Sequence, residues 1–221
     1  MREPLQEAPK FRRWQGLLQQ NGLDIHHVEE VFTRPDYQGR ALFSIVMLDA
    51  HTPEGDKIPP ICFIKGMVAT IVICLIDERT QEKYLLLVKQ RRICSGGYIY
   101  EHVAGLVDGK DSPKATVIRE AVEEAGVSLS SEAVYALNEE PLYPSTGTSD
   151  EAMFIFFSEL TLPKAQIMAY DGQRQGLISE HERIITHVVP LEEAKRLVTN
   201  TNGLLAIYLY LEAMEKKTGL L

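Results

Sequence analysis

The stretch GLVDGKDSPKATVIREAVEEAGV, from Gly105 to Val127, constrains this chain more than any other part of it. Ser112 and Pro113 read as a helix start, because a serine side chain caps the first amides and proline suits the first helical position, where no backbone donor is needed. Gly126 reads as the stop, since glycine takes up the left-handed backbone that ends many helices. The spacing therefore predicts a short helix between them. At 3.6 residues per turn, Glu120 and Glu124 stack on one face and Glu123 lies beside them. Stacked carboxylates repel one another unless a cation sits between them. An all-oxygen set of this kind suits a hard divalent ion, Mg²⁺ or Mn²⁺, that also keeps water and phosphate oxygens in its shell. The plainer alternative is a solvated helix on which Arg119 pairs with Glu123 at i,i+4.

A length of 221 residues allows one domain with an extension, or a domain with a small companion. Apolar residues make up 45% of the chain, enough for a real core. The net charge of −8 argues against a nucleic-acid or anionic-membrane surface, which would need a basic stripe. Anionic ligands must then be held locally, by a metal and a few placed arginines. The three cysteines, Cys62, Cys74 and Cys94, have no metal-like spacing, and the first two sit in apolar runs that suggest inert buried thiols. The first residues lack an apolar signal core, and the longest apolar stretch, Met67 to Ile76, is about half a membrane span. The expectation is a reduced, cytoplasmic protein with no membrane or nucleic-acid partner.

Residues 1–25 read as mostly polar, with a short helix around Phe11–Gln19. Val28–Thr33, Ala41–Asp49 and Pro60–Lys65 are β-prone runs separated by turn-rich segments, a small antiparallel sheet. From residue 66, Val68–Ile76 and Lys83–Gln90 predict a hairpin, followed by strands at Tyr98–Ala104, Val134–Leu142, Ala152–Leu160 and Ile184–Val189. Pro190–Val198 opens a helix with Glu192 and Glu193 in its first turn. Gly203–Lys217 predicts an amphipathic final helix with Leu204, Tyr208, Leu211 and Met214 on its core side. The expected fold is α/β, a mixed central sheet between helices. It divides as an N-terminal β-rich region, 1–65, and a main domain, 66–221.

The helix and its approach resemble the Nudix box, G-x5-E-x7-R-E-U-x-E-E-x-G-U with U apolar. The matching positions are Gly105, Arg119, Glu120, Ala121, Glu123, Glu124, Gly126 and Val127, while Asp111 stands where the pattern has glutamate. Asp keeps the charge with a shorter reach, which suits an outer-shell role. Gln90-x-Arg92, Glu101-x-x-Ala104-Gly105, the loop Tyr143–Glu151 and the acidic run from Gly176 resemble the ADP-ribose pyrophosphatase branch of that family. The resemblance covers about residues 28 to 215.

It implies a Nudix α/β/α sandwich and Mg²⁺-dependent hydrolysis of the pyrophosphate in ADP-ribose or a related nucleoside diphosphate sugar. UDP- and GDP-sugars are alternative substrates, and a nucleotide-sensing module that no longer cleaves is the alternative of another class. The implied metal ligands are Glu120, Glu124, Glu123 and the Ala104 carbonyl, with Arg119 holding the acids in place. Arg92, Glu101, Thr148 and Glu151 are implied to bind substrate. A loop glutamate, Glu180 or Glu182, would act as general base, because the helix carboxylates are occupied with metal. Trp14 and Phe43 are candidates to stack on the base. A few short strands bury little alone, and in the branch this chain resembles such strands pair with the partner subunit, so the resemblance implies a homodimer whose partner completes the substrate pocket.

Overall fold

In the computed structural model, which describes residues 3–107, 109, 111–176 and 183–218, the chain opens on helix α1 (Pro9–Gln20), with Pro9 at its first position. Strands β1 (Asp24–Pro35), β2 (Ala41–His51) and β3 (Ile61–Ile64) follow as an antiparallel sheet in that order. Alternation along β2 sends Val46, Leu48 and Ala50 into a core completed by Leu5, Phe11, Trp14 and Ile64. Trp14 is thus a core residue tilted against Phe11, with 5.5 Å between ring centroids, and is not placed to stack on a ligand.

Two compact units make up the chain, Met1–Met67 with Tyr143–Ala152, and Val68–Leu142 with Met153–Leu221. Asp150 secures the returning segment within the first unit. Its buried carboxylate accepts the Lys65 and Gly66 amides at 2.7 and 3.0 Å and pairs with Arg13 at 2.9 Å.

The second unit is built on an eight-stranded sheet. Strands β4 (Met67–Asp77) and β5 (Lys83–Arg91) form the expected antiparallel hairpin. The strand expected over Tyr98–Ala104 is two strands, β6 (Tyr98–Glu101) on β5 and β7 (Val103–Leu106) on β4. The chain changes partner at His102, which is buried and donates from Nε2 to the Gly203 carbonyl at 3.2 Å. Helix α2 (Pro113–Ala125) follows. The strand expected over Val134–Leu142 shrinks to β8 (Tyr135–Ala136). Beyond it the Asn138 side chain takes over ladder bonds, accepting the Ile155 amide at 2.7 Å and donating to the Met153 carbonyl at 3.2 Å.

Strand β9 (Ala152–Leu162), helix α3 (Lys164–Ala169), β10 (Arg174–Gln175), β11 (Ile184–Pro190), α4 (Leu191–Leu197) and α5 (Thr201–Thr218) complete the chain. The sheet order is β10-β11-β5-β4-β9-β8. Gly66 meets Ala152 at one end of β4 and β9, and Glu78 meets Leu162 at the other, so these two strands run parallel and the sheet is mixed. Both faces are covered, which explains the near-continuous apolar runs of β4 and β5. Ile71, Ile73, Leu86 and Val88 face α2 and α3, while Val72, Cys74, Leu85 and Leu87 face α4 and α5. The second unit is therefore the expected α/β/α sandwich, and the N-terminal sheet is antiparallel as expected. On α5 the buried side is Ala206, Ile207 and Tyr210, and Tyr208, expected inside, is 60% exposed. No helix of the described residues is long and apolar enough to cross a membrane.

Candidate metal and diphosphate site

Helix α2 has the boundaries its sequence requires. The Ser112 hydroxyl accepts the Ala115 amide at 3.1 Å, and Pro113 is the first helical residue. Gly126 turns left-handed, φ 66°, so that its amide reaches Val122 and the Val127 amide reaches Ala121, closing the last turn. Val117, Ala121 and Ala125 pack the inner side of α2 onto the sheet.

Glu124 shares that inner side and is only 3% exposed. A buried carboxylate must be held by donors, and the Ala104 amide on β7 donates to Glu124 Oε2 at 3.0 Å. One turn earlier, Glu120 lies over Gly105. A β-carbon at 105 would come within 2.6 Å of Glu120 Cγ and closer still to its carboxylate, so only glycine leaves the space. Arg119 pairs with Glu120 at 2.9 Å and with Glu123 at 2.7 Å. Burial opposes the Arg119 charge, but the carboxylates of Glu120 and Glu123 outweigh it and hold the guanidinium pKa above its ordinary value. The i,i+4 pair of a plain solvated helix is therefore present, yet Glu120 and Glu124 turn inward against β7, as the carboxylates of a solvated face do not. The donor set is all oxygen, on two neighbouring elements, and it fits a hard divalent ion. A recess of about 600 Å³ runs along α2 beside Lys114, Ile118, Val122 and Ser131. It shares Arg119 and Glu123 with the cluster but not Glu120 or Glu124; the carboxylates, not the recess, mark the chemistry.

Arg92 lies just past β5 and donates from Nε to Glu101 Oε2 at 2.8 Å, while Asn200 donates to the other Glu101 oxygen at 3.3 Å. Arg92 and Glu101 are thus brought together, and Asn200 joins them unannounced by the sequence, since it is 99 residues from Glu101 and no local pattern links the two. Arg91 stacks on Tyr98 instead, 4.5 Å from the ring centroid. Thr148 and Glu151 belong to the first unit. There the Thr148 carbonyl accepts the Phe63 amide at 2.7 Å, and Glu151 pairs with Lys65 at 2.9 Å. Asp111 is exposed one residue ahead of the helix cap. Burial pushes the His102 pKa down to about 4, so its ring is neutral and takes no part as an acid. Glu180 and Glu182 lie outside the described residues. The last described residue before them, Gly176, donates its amide to the Glu123 carbonyl at 3.1 Å.

The chain matches the NUDIX domain family over residues 66–206. It is similar to Nudix hydrolase 14, chloroplastic, of Arabidopsis thaliana, at 31% identity over 186 residues, a match covering 80% of this chain and 58% of that protein. The match thus spans less than two thirds of that relative's length. Among solved structures it resembles an ADP compounds hydrolase, with a TM-score of 0.63 and 18% identity, covering 88% of this chain and 95% of that one. That likeness concerns the fold.

Proposed function

Because the chain belongs to the NUDIX domain family, which it matches over 66–206 of its 221 residues, we propose that it hydrolyses the pyrophosphate bond of ADP-ribose or a related nucleoside diphosphate sugar. The products would be a nucleoside monophosphate and a sugar phosphate, AMP and ribose 5-phosphate in the case of ADP-ribose. The observation that carries this reading is the inward pair Glu120 and Glu124, set against the backbone of Gly105 and Ala104. The similarity to a Nudix hydrolase and the shared fold with an ADP compounds hydrolase support it.

Glu120, Glu124, Glu123 and the Ala104 carbonyl would hold Mg²⁺, with Mn²⁺ as a substitute. When bound, the ion supplies charge neutralisation at the bridging phosphates and acidifies water. Arg119 positions Glu120 and Glu123. Arg92 is shaped to bind a phosphate through two parallel hydrogen bonds, and its Nε–H is directed to Glu101. Thr148 and Glu151 are assigned to substrate binding. Glu180 or Glu182 takes the proton from the attacking water.

The N-terminal region, 1–65, is assigned to homodimer formation, and 66–221 to catalysis. Phe32, Ile45 and Phe63 stand in register across β1, β2 and β3, with Phe43 against Phe63 and Ile61 nearby. Phe32 is 58% and Ile61 54% exposed, an apolar face that a second copy would cover. The three unpaired cysteines fit a reduced compartment such as the cytoplasm.

The test is a substrate panel with Mg²⁺: ADP-ribose, UDP-glucose, GDP-mannose, a dinucleoside polyphosphate and a nucleoside triphosphate. A nucleoside diphosphate sugar should exceed the triphosphate in kcat/KM by at least about tenfold, roughly 1.4 kcal/mol of differential transition-state binding. A triphosphate winning would overturn the substrate assignment, and no turnover of any compound would overturn the enzymatic one.

A further inference from the structure

Strand β1 carries an irregularity that diphosphate hydrolysis does not use. On β2 the core residues Leu48 and Ala50 are two positions apart, whereas their partners on β1, Val28 and Ile25, are three apart. The additional residue is absorbed as a bulge between Ile25 and His27, a device that re-aims side chains. His26 is left exposed among Asp24, Asp49 and His51. Asp49 and His51 are alternate residues of β2 and share one face of the sheet.

The ligand atoms of His26, Asp49 and His51 all lie within 4.8 Å of one another. The two imidazoles are 4.9 Å apart between centroids. The nitrogens of His26 have different neighbours: Nδ1 is 3.9 Å from Asp49 Oδ2, and Nε2 is 3.0 Å from Asp24 Oδ2. A histidine that binds metal through one nitrogen ordinarily donates its other N–H to a carboxylate, which fixes the tautomer and the ring orientation. Asp24 supplies that carboxylate. Lys57 approaches Asp49 on the side of its other oxygen, Oδ1, at 4.0 Å. His51 sits where β2 ends, bridged to Lys57 and followed by a turn in which the Thr52 amide meets the Asp56 carbonyl at 2.8 Å, so its backbone is fixed.

We propose that His26, Asp49 and His51 form a second metal site, for a borderline divalent ion such as Zn²⁺, with Asp24 orienting His26. Two imidazoles and one carboxylate favour Zn²⁺ over the hard ions suited to the all-carboxylate cluster on α2. Three protein ligands leave one position for water. The ion would fasten the end of β2 to the start of β1 across the bulge.

The test uses the full-length protein, stripped of metal and then dialysed against Zn²⁺ in excess Mg²⁺, which fills the carboxylate site. Wild type and Glu124→Gln should each retain one equivalent of Zn²⁺. His26→Ala, Asp49→Asn and His51→Ala should each weaken binding at least about tenfold, since loss of even an orienting partner commonly costs that much. All three positions lie on the outer side of the small sheet, away from the core of Trp14, Val46 and Leu48, so the variants should fold. Zn²⁺ should raise the melting temperature of wild type and not that of a His26→Ala/His51→Ala double variant. Equal Zn²⁺ retention by wild type and the double variant overturns the proposal. So does retention in wild type that is lost in Glu124→Gln.

Discussion

Glu120 occupies the space that a side chain on residue 105 would need, its Cγ lying 2.6 Å from where a β-carbon of Gly105 would stand. The glycine is therefore required by a neighbour and not by its own backbone, which is not left-handed at Gly105. Gly105→Ala should displace the Glu120 carboxylate and lower kcat at least about 100-fold, the usual consequence of misplacing a catalytic group by an ångström. The melting temperature should change little. Gly126→Ala should show the reverse, a loss of about 1 kcal/mol of stability from the left-handed φ of 66° with a smaller effect on turnover.

Glu124→Gln keeps the shape of the side chain and an acceptor for the Ala104 amide, while removing a charge from the proposed ion site. Activity should fall about 100-fold or more, because metal charge stabilisation is worth several kcal/mol, and the denaturation midpoint should stay close to wild type. Chelation should abolish wild-type turnover, and added Mg²⁺ should restore it. Activity that survives chelation would remove the metal from the mechanism.

What was legible in the sequence divides along physical lines. Helix α2 could be bounded to the residue, because its cap, its first proline and its left-handed glycine are all local signals. The hairpin of β4 and β5 was readable because strands buried on both faces are apolar throughout. Features that depend on distant partners were not readable. Tyr98–Leu106 splits in two because β5 and β4 offer adjoining edges, and His102 marks the change only through Gly203. The Val134–Leu142 strand is interrupted because the Asn138 side chain competes for the ladder. Tyr208 shares helical spacing with Leu204 and Leu211, but the face of α5 that packs is the neighbouring one of Ala206, Ile207 and Tyr210. Asn200 beside Glu101, and Asp150 as the anchor of its loop, have no signature in their own neighbourhoods.

Asp150 should matter for stability more than its loop position suggests. Its buried carboxylate takes two backbone amides and the Arg13 guanidinium. Asp150→Ala would leave those donors without an acceptor, at a cost of about 3 kcal/mol. Urea denaturation should report the loss, and proteolysis should concentrate in Met1–Met67. A variant as stable as wild type would show that solvent replaces the carboxylate.

Acid sensitivity should trace in part to Glu159. Burial pushes this carboxyl up, but hydrogen bonds from Lys83 at 2.8 Å and Tyr210 at 2.7 Å outweigh it and hold its pKa below the ordinary 4.5. A carboxyl whose pKa is depressed on folding contributes stability that is fully present above its unfolded pKa and is lost as pH falls through the folded one. The stability gap between wild type and Glu159→Gln should therefore be widest near neutrality and begin to close only as the pH falls below the ordinary 4.5. Midpoints of urea unfolding across that range would measure it, and a gap that does not change with pH would exclude the ionised network as its source.

The apolar face of the N-terminal sheet gives the last expectation. Ile45 pairs in register with Phe32 on one side and Phe63 on the other, so the three side chains form a row across the sheet. Phe32→Glu combined with Ile45→Glu would place two charges in that row without touching the inward core of Trp14, Val46 and Leu48. If a second copy covers the face, burying a charge there without a partner is strongly unfavourable. Wild type should then sediment as a dimer and the double variant as a folded monomer. Because the partner's N-terminal region is expected to complete the substrate pocket, the monomer should also show a KM raised more than its kcat is lowered. A wild-type protein that sediments as a fully active monomer would remove both the dimer and the shared pocket.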